Sequence, residues 1–176
     1  MQHKRTVEDI DATIREMDNQ YDANFGEWVR SEDNLDILAT NLRGYLEEYT
    51  PETFAEVLKW ITIKWKSSSR IFLLKLLFKE EVFKENHAAS PKPTPRTNII
   101  LKRVIDTWTN AQISDFLIEF LNGMGREEKR VFLFVIVENF THQQLTEIFI
   151  RIDSIVDWSL KISIIKKGMS YKGSST

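Results

Sequence analysis

Three times along this chain an aromatic residue is followed by Thr, two variable positions, a polar residue and an apolar one. The segments are Tyr49-Thr50-Pro51-Glu52-Thr53-Phe54, Trp108-Thr109-Asn110-Ala111-Gln112-Ile113 and Phe140-Thr141-His142-Gln143-Gln144-Leu145. Each reads as the start of a helix. A Thr hydroxyl at the N-cap accepts a hydrogen bond from a first-turn N–H that has no partner within the helix. Gln112 and Gln144 stand where a capping-box side chain reaches back to the N-cap N–H. Pro51 takes the first helical position, where its missing N–H leaves nothing unpaired. The aromatic residue before each Thr and the apolar one five later are placed to staple the chain's entry into the helix.

The likeness continues past the caps. Phe54, Val57, Leu58 and Ile61 correspond to Ile113, Phe116, Leu117 and Phe120, and to Leu145, Ile148, Phe149 and Ile152. Glu56, Asp115 and Glu147 share one acidic position near the positive end of the helix dipole. Thr109 and Thr141 lie 32 residues apart, whereas Thr50 and Thr109 lie 59 apart, 27 more. A linker and one further helix account for the excess. Units of helix, Thr turn and antiparallel helix at such a period suit helical arrays, which bury their faces by stacking. The pattern resembles HEAT, armadillo and tetratricopeptide arrays only in this general way. Its interval is shorter than a HEAT repeat, and the tetratricopeptide signature is absent. An ordinary bundle with three capped helices satisfies it as well.

The remaining stretches are helical in period. Val7, Ile10, Ile14 and Met17 line one face, and Leu35, Leu38, Leu42, Tyr45 and Leu46 another. Further helices are predicted over Pro51 to Lys66, stopping at the Ser67-Ser68-Ser69 run, over Arg70 to Glu85, and at about 98–108, 110–122, 126–140, 142–153 and 155–167. Gly123 and Gly125 are placed to close the helix before them. Val131 to Val137 is an apolar run that a buried strand would also satisfy, but its charged flanks extend it to helix length. Trp158, Leu160, Ile162 and Ile164 alternate as in a strand, while Ile155, Trp158, Ile162 and Ile165 fit one helix face, and helix is favoured. The expected fold is all-α, with about nine helices in stacked antiparallel pairs, as an α-solenoid of HEAT-like form or an irregular helical bundle. It reads as one domain over residues 1–169 with a disordered tail at 170–176. Pro91, Pro93 and Pro95 mark 87–97 as an exposed internal loop. Its Ser90-Pro91 and Thr94-Pro95 pairs fit proline-directed phosphorylation, although an inert connector is the plainer reading.

Composition narrows the function classes. With 42% apolar and 28% charged residues and a net charge of -2, the chain is an ordinary globular sequence without a whole-molecule pull on nucleic acid or lipid. It has no Cys, which excludes disulfides and cysteine-based zinc sites. No secretory leader and no membrane-length apolar run are evident, so an intracellular place, cytoplasmic or nuclear, is expected. His3, His87 and His142 have no metal-ligand spacing, and no phosphate loop, nucleophile elbow or HExxH motif occurs. Glu80-Glu81 and Glu127-Glu128 are adjacent on helices, so their side chains diverge. An enzyme is therefore not expected, nor a cofactor or metal.

Charge is unevenly spread. Residues 1–50 hold twelve acidic and five basic side chains, whereas Lys59 to Lys84 holds seven basic and two acidic ones. Lys59, Lys64, Lys66, Arg70 and Lys75, with Trp60 and Trp65 nearby, are the residues a nucleic-acid-binding helical domain would use. The alternative, that they solvate an apolar helix pair, is the stronger. Trp60 and Ile63 point about 120–180° from the core face of their helix, among Glu56 and Lys59. Such a second apolar face is either sandwiched in a stack or offered to a partner. The expected function is a non-enzymatic protein-interaction or scaffold module that binds another protein, with Trp60, Ile63 and Lys59 at the contact.

Overall fold

The structure, a computed structural model, describes residues 32–44, 48–84 and 91–173, with side chains from Leu35 to Lys166. The expected helix through Val7 and Met17 lies outside these residues, as do Tyr45, Leu46, His3, His87 and Ser90. The described chain is all-α. Its helices are α1 (Glu32–Arg43), α2 (Pro51–Thr62), α3 (Ser67–Phe78), α4 (Pro95–Ile105), α5 (Asn110–Leu121), α6 (Arg126–Ile136), α7 (His142–Arg151) and α8 (Trp158–Gly173). A single 3-10 turn, Lys79–Glu81, follows α3. The chain divides into two compact units, one up to Phe78 and one from Lys79.

In the first unit α1 packs on α3. Leu35, Leu38, Ala39 and Leu42 are buried from α1, and Phe54, Val57, Leu58 and Ile61 from α2. The rings of Phe54 and Phe78 meet edge to face at 6.2 Å, the arrangement their quadrupoles favour. Helix α2 ends earlier than its apolar period suggests. Thr62 turns its hydroxyl back to the Leu58 carbonyl at 2.8 Å, and the three serines open α3 instead of separating two helices. Serine is at home in a first turn, where its short side chain competes for backbone hydrogen bonds. Ile71, Leu73, Leu74, Leu77 and Phe78 are buried and Phe72 and Leu76 half-buried, so α3 is apolar almost all round.

In the second unit the close packing joins each helix to the next but one: α4 with α6, α6 with α8, and α5 with α7. The core between them is aromatic. Phe116 lies 4.5 Å from Phe120, Phe120 stacks on Phe132 at 5.9 Å, and Trp108 meets Phe116 edge-on at 6.2 Å. Val131 to Ile136 is helical, as its charged flanks predict.

All three Thr signals are N-caps. The hydroxyls of Thr50, Thr109 and Thr141 each accept from the N–H three residues on, at 3.2 Å. Gln112 and Gln144 return the bond to the Thr109 and Thr141 N–H at 3.0 Å, closing both capping boxes. Phe54, Val57, Leu58 and Ile61, their four α5 counterparts, and Ile148, Phe149 and Ile152 are all buried, and Leu145 is half-buried. Glu56, Asp115 and Glu147 are exposed. The Asn110 amide donates to the Glu147 carboxylate, so the start of α5 is linked to the middle of α7.

The proline segment departs from an exposed loop over 91–97. Phe83 and Pro93 form an antiparallel bridge, with Lys84 N–H donating to the Lys92 carbonyl and Thr94 N–H to the Val82 carbonyl, both at 2.9 Å. Pro91, Thr97 and Asn98 are buried, and Pro95 begins α4. Asn98 explains the order: its side-chain amide donates to the carbonyls of Val82 and Thr94, so the two arms of the bridge are pinned by the helix. Proline fits because its fixed φ suits both an edge and a first helical turn.

Two glycine expectations separate likewise. Gly123, with φ of 85°, ends α5 in the left-handed region, while Gly125 N-caps α6 and its N–H is held by the Glu128 carboxylate at 3.0 Å. At the C-terminal side α8 continues to Gly173, through the first part of the expected tail.

Candidate interaction surfaces

Helix α2 buries one face and shows the other. Trp60 is 50% exposed and Ile63 67% exposed, on the side away from Phe54, Leu58 and Ile61. Lys59 is half-buried beside them and pairs with Glu56 at 3.4 Å. These three residues are thus brought to one surface. Trp65 behaves differently: it is half-buried, packed with Phe72 and Leu76 against Leu35 of α1.

The basic stretch runs from α2 through the link into α3. Lys64 and Lys66 are exposed in the link between α2 and α3. Arg70 is half-buried, and its guanidinium folds back onto the Ile63 carbonyl at 2.7 Å, while its Nε–H is buried without a partner. Lys75 is half-buried along α3. Lys79 and Lys84 belong to the second unit, where the Lys79 ammonium donates to the Glu119 carbonyl.

The acidic pairs diverge as their spacing requires. Glu127 pairs with Arg130, whereas Glu128 reaches back to Gly125. The hydrogen bond from Arg130 to Glu127, helped by the carboxylate's charge and opposed by partial burial, holds that guanidinium still more firmly protonated. His142 is exposed at the start of α7, and among the described residues no group of His, Asp and Glu could hold a metal ion. A cavity of about 390 Å³ opens between the 3-10 turn and the α5–α6 link, lined by Lys79, Glu80, Phe83, Asn122, Met124 and Glu128 among others. Within that lining the Lys79 ammonium donates to the Glu119 carbonyl and the Glu128 carboxylate accepts from Gly125 N–H. Thr94 is the N-cap of α4 and half-buried, and its hydroxyl does not cap.

One surface is not found from the sequence. Ile155, Trp158, Ile162 and Ile165 look like the core face of α8, but the buried residues are Val156, Leu160 and Ile164. Trp158 is 49% and Ile162 46% exposed. Lys161 is fully buried, with its ammonium 4.3 Å from the Trp158 ring centroid and 2.8 Å from Asp153 Oδ1. The signal that assigns the face correctly is Asp157. Its carboxylate caps Leu160 N–H at 2.8 Å, which starts the helix at Trp158, with Leu160 and Ile164 as an i, i+4 pair on the buried side.

No helix among the described residues is long and apolar enough to cross a membrane. The chain matches no family model, no curated protein and no solved structure.

Proposed function

We propose that the chain is a non-enzymatic interaction module of helical-repeat type, working inside the cell, and that it binds a partner protein's helix on the outer face of α2. The observation that carries this reading is the exposed Trp60 and Ile63 on a helix whose opposite face is fully buried. An amphipathic helix offers the matching i, i+3, i+4 apolar pattern, and a half-exposed indole is the side chain that most often dominates such contacts. Lys59 and Lys64 at the rim favour a partner helix with acidic flanks. The next-but-one packing of α4 to α8, together with the paired Thr caps of α5 and α7, supports a solenoid-like stack as the frame.

The test compares the chain with a Trp60→Ala, Ile63→Ser variant in quantitative affinity purification. A partner retained by the parent chain and lost by the variant, with helical circular dichroism unchanged, supports the reading. An identical partner set in both sinks it. Nucleic-acid binding through Lys59, Lys64, Lys66, Arg70 and Lys75 is the second reading, favoured by the exposure of Lys64 and Lys66. Titration with single-stranded RNA at rising salt separates the two, because phosphate contacts weaken steeply with salt.

A further inference from the structure

We propose that residues 6–18 of this chain dock on the outer face of α2, over Trp60 and Ile63, and hold the surface that a partner helix must take. The docking stands by itself, while its regulatory consequence rests on the α2 reading above. Among the described residues of the first unit, three large apolar side chains are exposed: Ile37 at 54%, Trp60 at 50% and Ile63 at 67%. Ile37 stands alone on α1, among the exposed Asp36, Thr40 and Asn41. Trp60 and Ile63 are i, i+3 neighbours, and Lys64 and Lys66 follow them, both exposed. Neither of these ammonium groups has a partner among the described residues, whereas Lys59 pairs with Glu56. An apolar pair bordered by two unneutralised cations fits an amphipathic helix with acids along its edge.

The chain carries such a segment outside the described residues. From Thr6 to Asp18 the spacing of Val7, Ile10, Ile14 and Met17 predicts a single apolar stripe at helical period. The segment holds five acids (Glu8, Asp9, Asp11, Glu16 and Asp18) against one base, Arg15. At 100° per residue, Asp11 and Asp18 fall about 60–80° from the centre of the stripe, along one edge of it. They border the segment's apolar face as Lys64 and Lys66 border the one on α2.

Reach and affinity both select this segment. Thirteen residues, 19–31, separate it from Glu32 at the start of α1, and a chain of that length spans up to about 45 Å. Helices α1 and α2 have 12 residues each, about 18 Å in length, and belong to one unit, so α2 lies within that reach. A contact made by one helix stripe falls at the small end of specific interfaces, about 1,200 Å² or less in total, and is weak between separate molecules. Within one chain, a short connection supplies an effective concentration on the order of 1 mM, and the same contact is then mostly closed. A separate partner helix has to displace the segment, which makes residues 6–18 a gate on the α2 surface.

The chain has no Cys, so two introduced thiols report one contact cleanly. In the full chain under mild oxidation, Ile14→Cys with Ile63→Cys should close an intramolecular disulfide about tenfold faster than Ile14→Cys with Ile37→Cys. Lys64→Glu with Lys66→Glu should slow the first pair roughly tenfold, and adding Asp11→Lys with Asp18→Lys should restore it. Equal rates for the two thiol pairs overturn the proposal, as does a first pair indifferent to the charge changes. If a thiol variant disturbs the helical circular dichroism, the Trp60 indole N–H resonance, assigned with Trp60→Phe, decides instead. It should move when Ile10→Asp and Ile14→Asp are introduced together, and an unmoved resonance overturns the proposal. None of these measurements needs a partner. The docking can therefore fail while the Trp60→Ala, Ile63→Ser purification still finds a partner, and it can hold while that purification finds none. Where both hold, the Ile10→Asp, Ile14→Asp chain should capture several-fold more partner than the parent chain, and capture at the parent level would deny the segment its hold on the surface.

Discussion

Trp60 on α2 and Trp158 on α8 occupy the same kind of position. Each is half exposed on the second apolar face of a helix, with Ile three or four residues later and a Lys one or three residues away. They differ in what lies beneath. The Trp158 ring covers Lys161, which is fully buried and tied to Asp153, whereas among the described residues no cation underlies Trp60, and its neighbour Lys59 pairs with Glu56 near the surface. One indole is therefore part of the local structure and the other is an appendage of it. Equal exposure does not mean equal coupling to the fold.

The largest effect tests the contrast between the two faces of α2. Phe54 is fully buried against Phe78, and Phe54→Ala should cost about 3–5 kcal/mol of unfolding free energy. Trp60→Ala removes a larger side chain from the same helix and should cost less, about 1–2 kcal/mol, because half of its surface stays in water in the folded chain. Urea denaturation of both variants gives the comparison directly. Equal losses would mean that α2 has no free face.

The next effect lies under Trp158. Asp153→Ala leaves the Lys161 ammonium buried with only an aromatic face for company, and should cost about 2–3 kcal/mol. Lys161→Met removes the charge and keeps the volume, so it should be neutral or stabilising, the exposed Asp153 being readily solvated. Thermal melts of the two single variants and the double variant should show that Lys161→Met abolishes the penalty of Asp153→Ala. A penalty that persists would place the role of Asp153 elsewhere.

A smaller contrast sets the caps against each other. Thr50→Ala, Thr109→Ala and Thr141→Ala each remove a bonded cap and should each cost about 1 kcal/mol. Thr94→Ala, at an N-cap whose hydroxyl does not bond to the first turn, should cost no more than a few tenths. The same denaturation series reads all four, and a Thr94 variant as damaged as the others would mean that helix position, not the hydroxyl, sets the cost.

These contrasts also show what was legible in the sequence. The caps were, because Thr with Gln three residues later is a local chemical device that acts wherever it stands. The core positions after each cap follow from period alone, as Phe116, Leu117 and Phe120 show. Faces were legible only where a helix has one apolar stripe. Helix α8 has two, and the longer set of large apolar residues is the exposed one, since a buried Lys161 takes a place that hydropathy assigns to solvent. The order of 91–97 was hidden for a related reason. It depends on Asn98 reaching the Val82 carbonyl, a contact across 16 residues that no local pattern encodes. The exposure of Trp60 and Ile63 was within reach, because α2 is amphipathic with a clean buried face; their partner was not, since a surface carries no record of what covers it.

The smallest expected effect closes the comparison between the two tryptophans. Glu56 pairs with Lys59 beside Trp60 at 3.4 Å, as Asp153 pairs with Lys161 beside Trp158 at 2.8 Å. Both carboxylates are well exposed, at 61% and 59%, so the acids alone do not distinguish the sites. The lysines do, at 23% and 0% side-chain exposure. Water still reaches Lys59 when its carboxylate is removed, and Glu56→Gln should cost no more than about 0.5 kcal/mol. The small loss should fade further as salt is raised, whereas the Asp153→Ala loss should hardly respond, because a buried charge is poorly screened. Chemical denaturation of both variants at low and high salt checks this, and a matching salt response would mean that Lys161 is as open to water as Lys59.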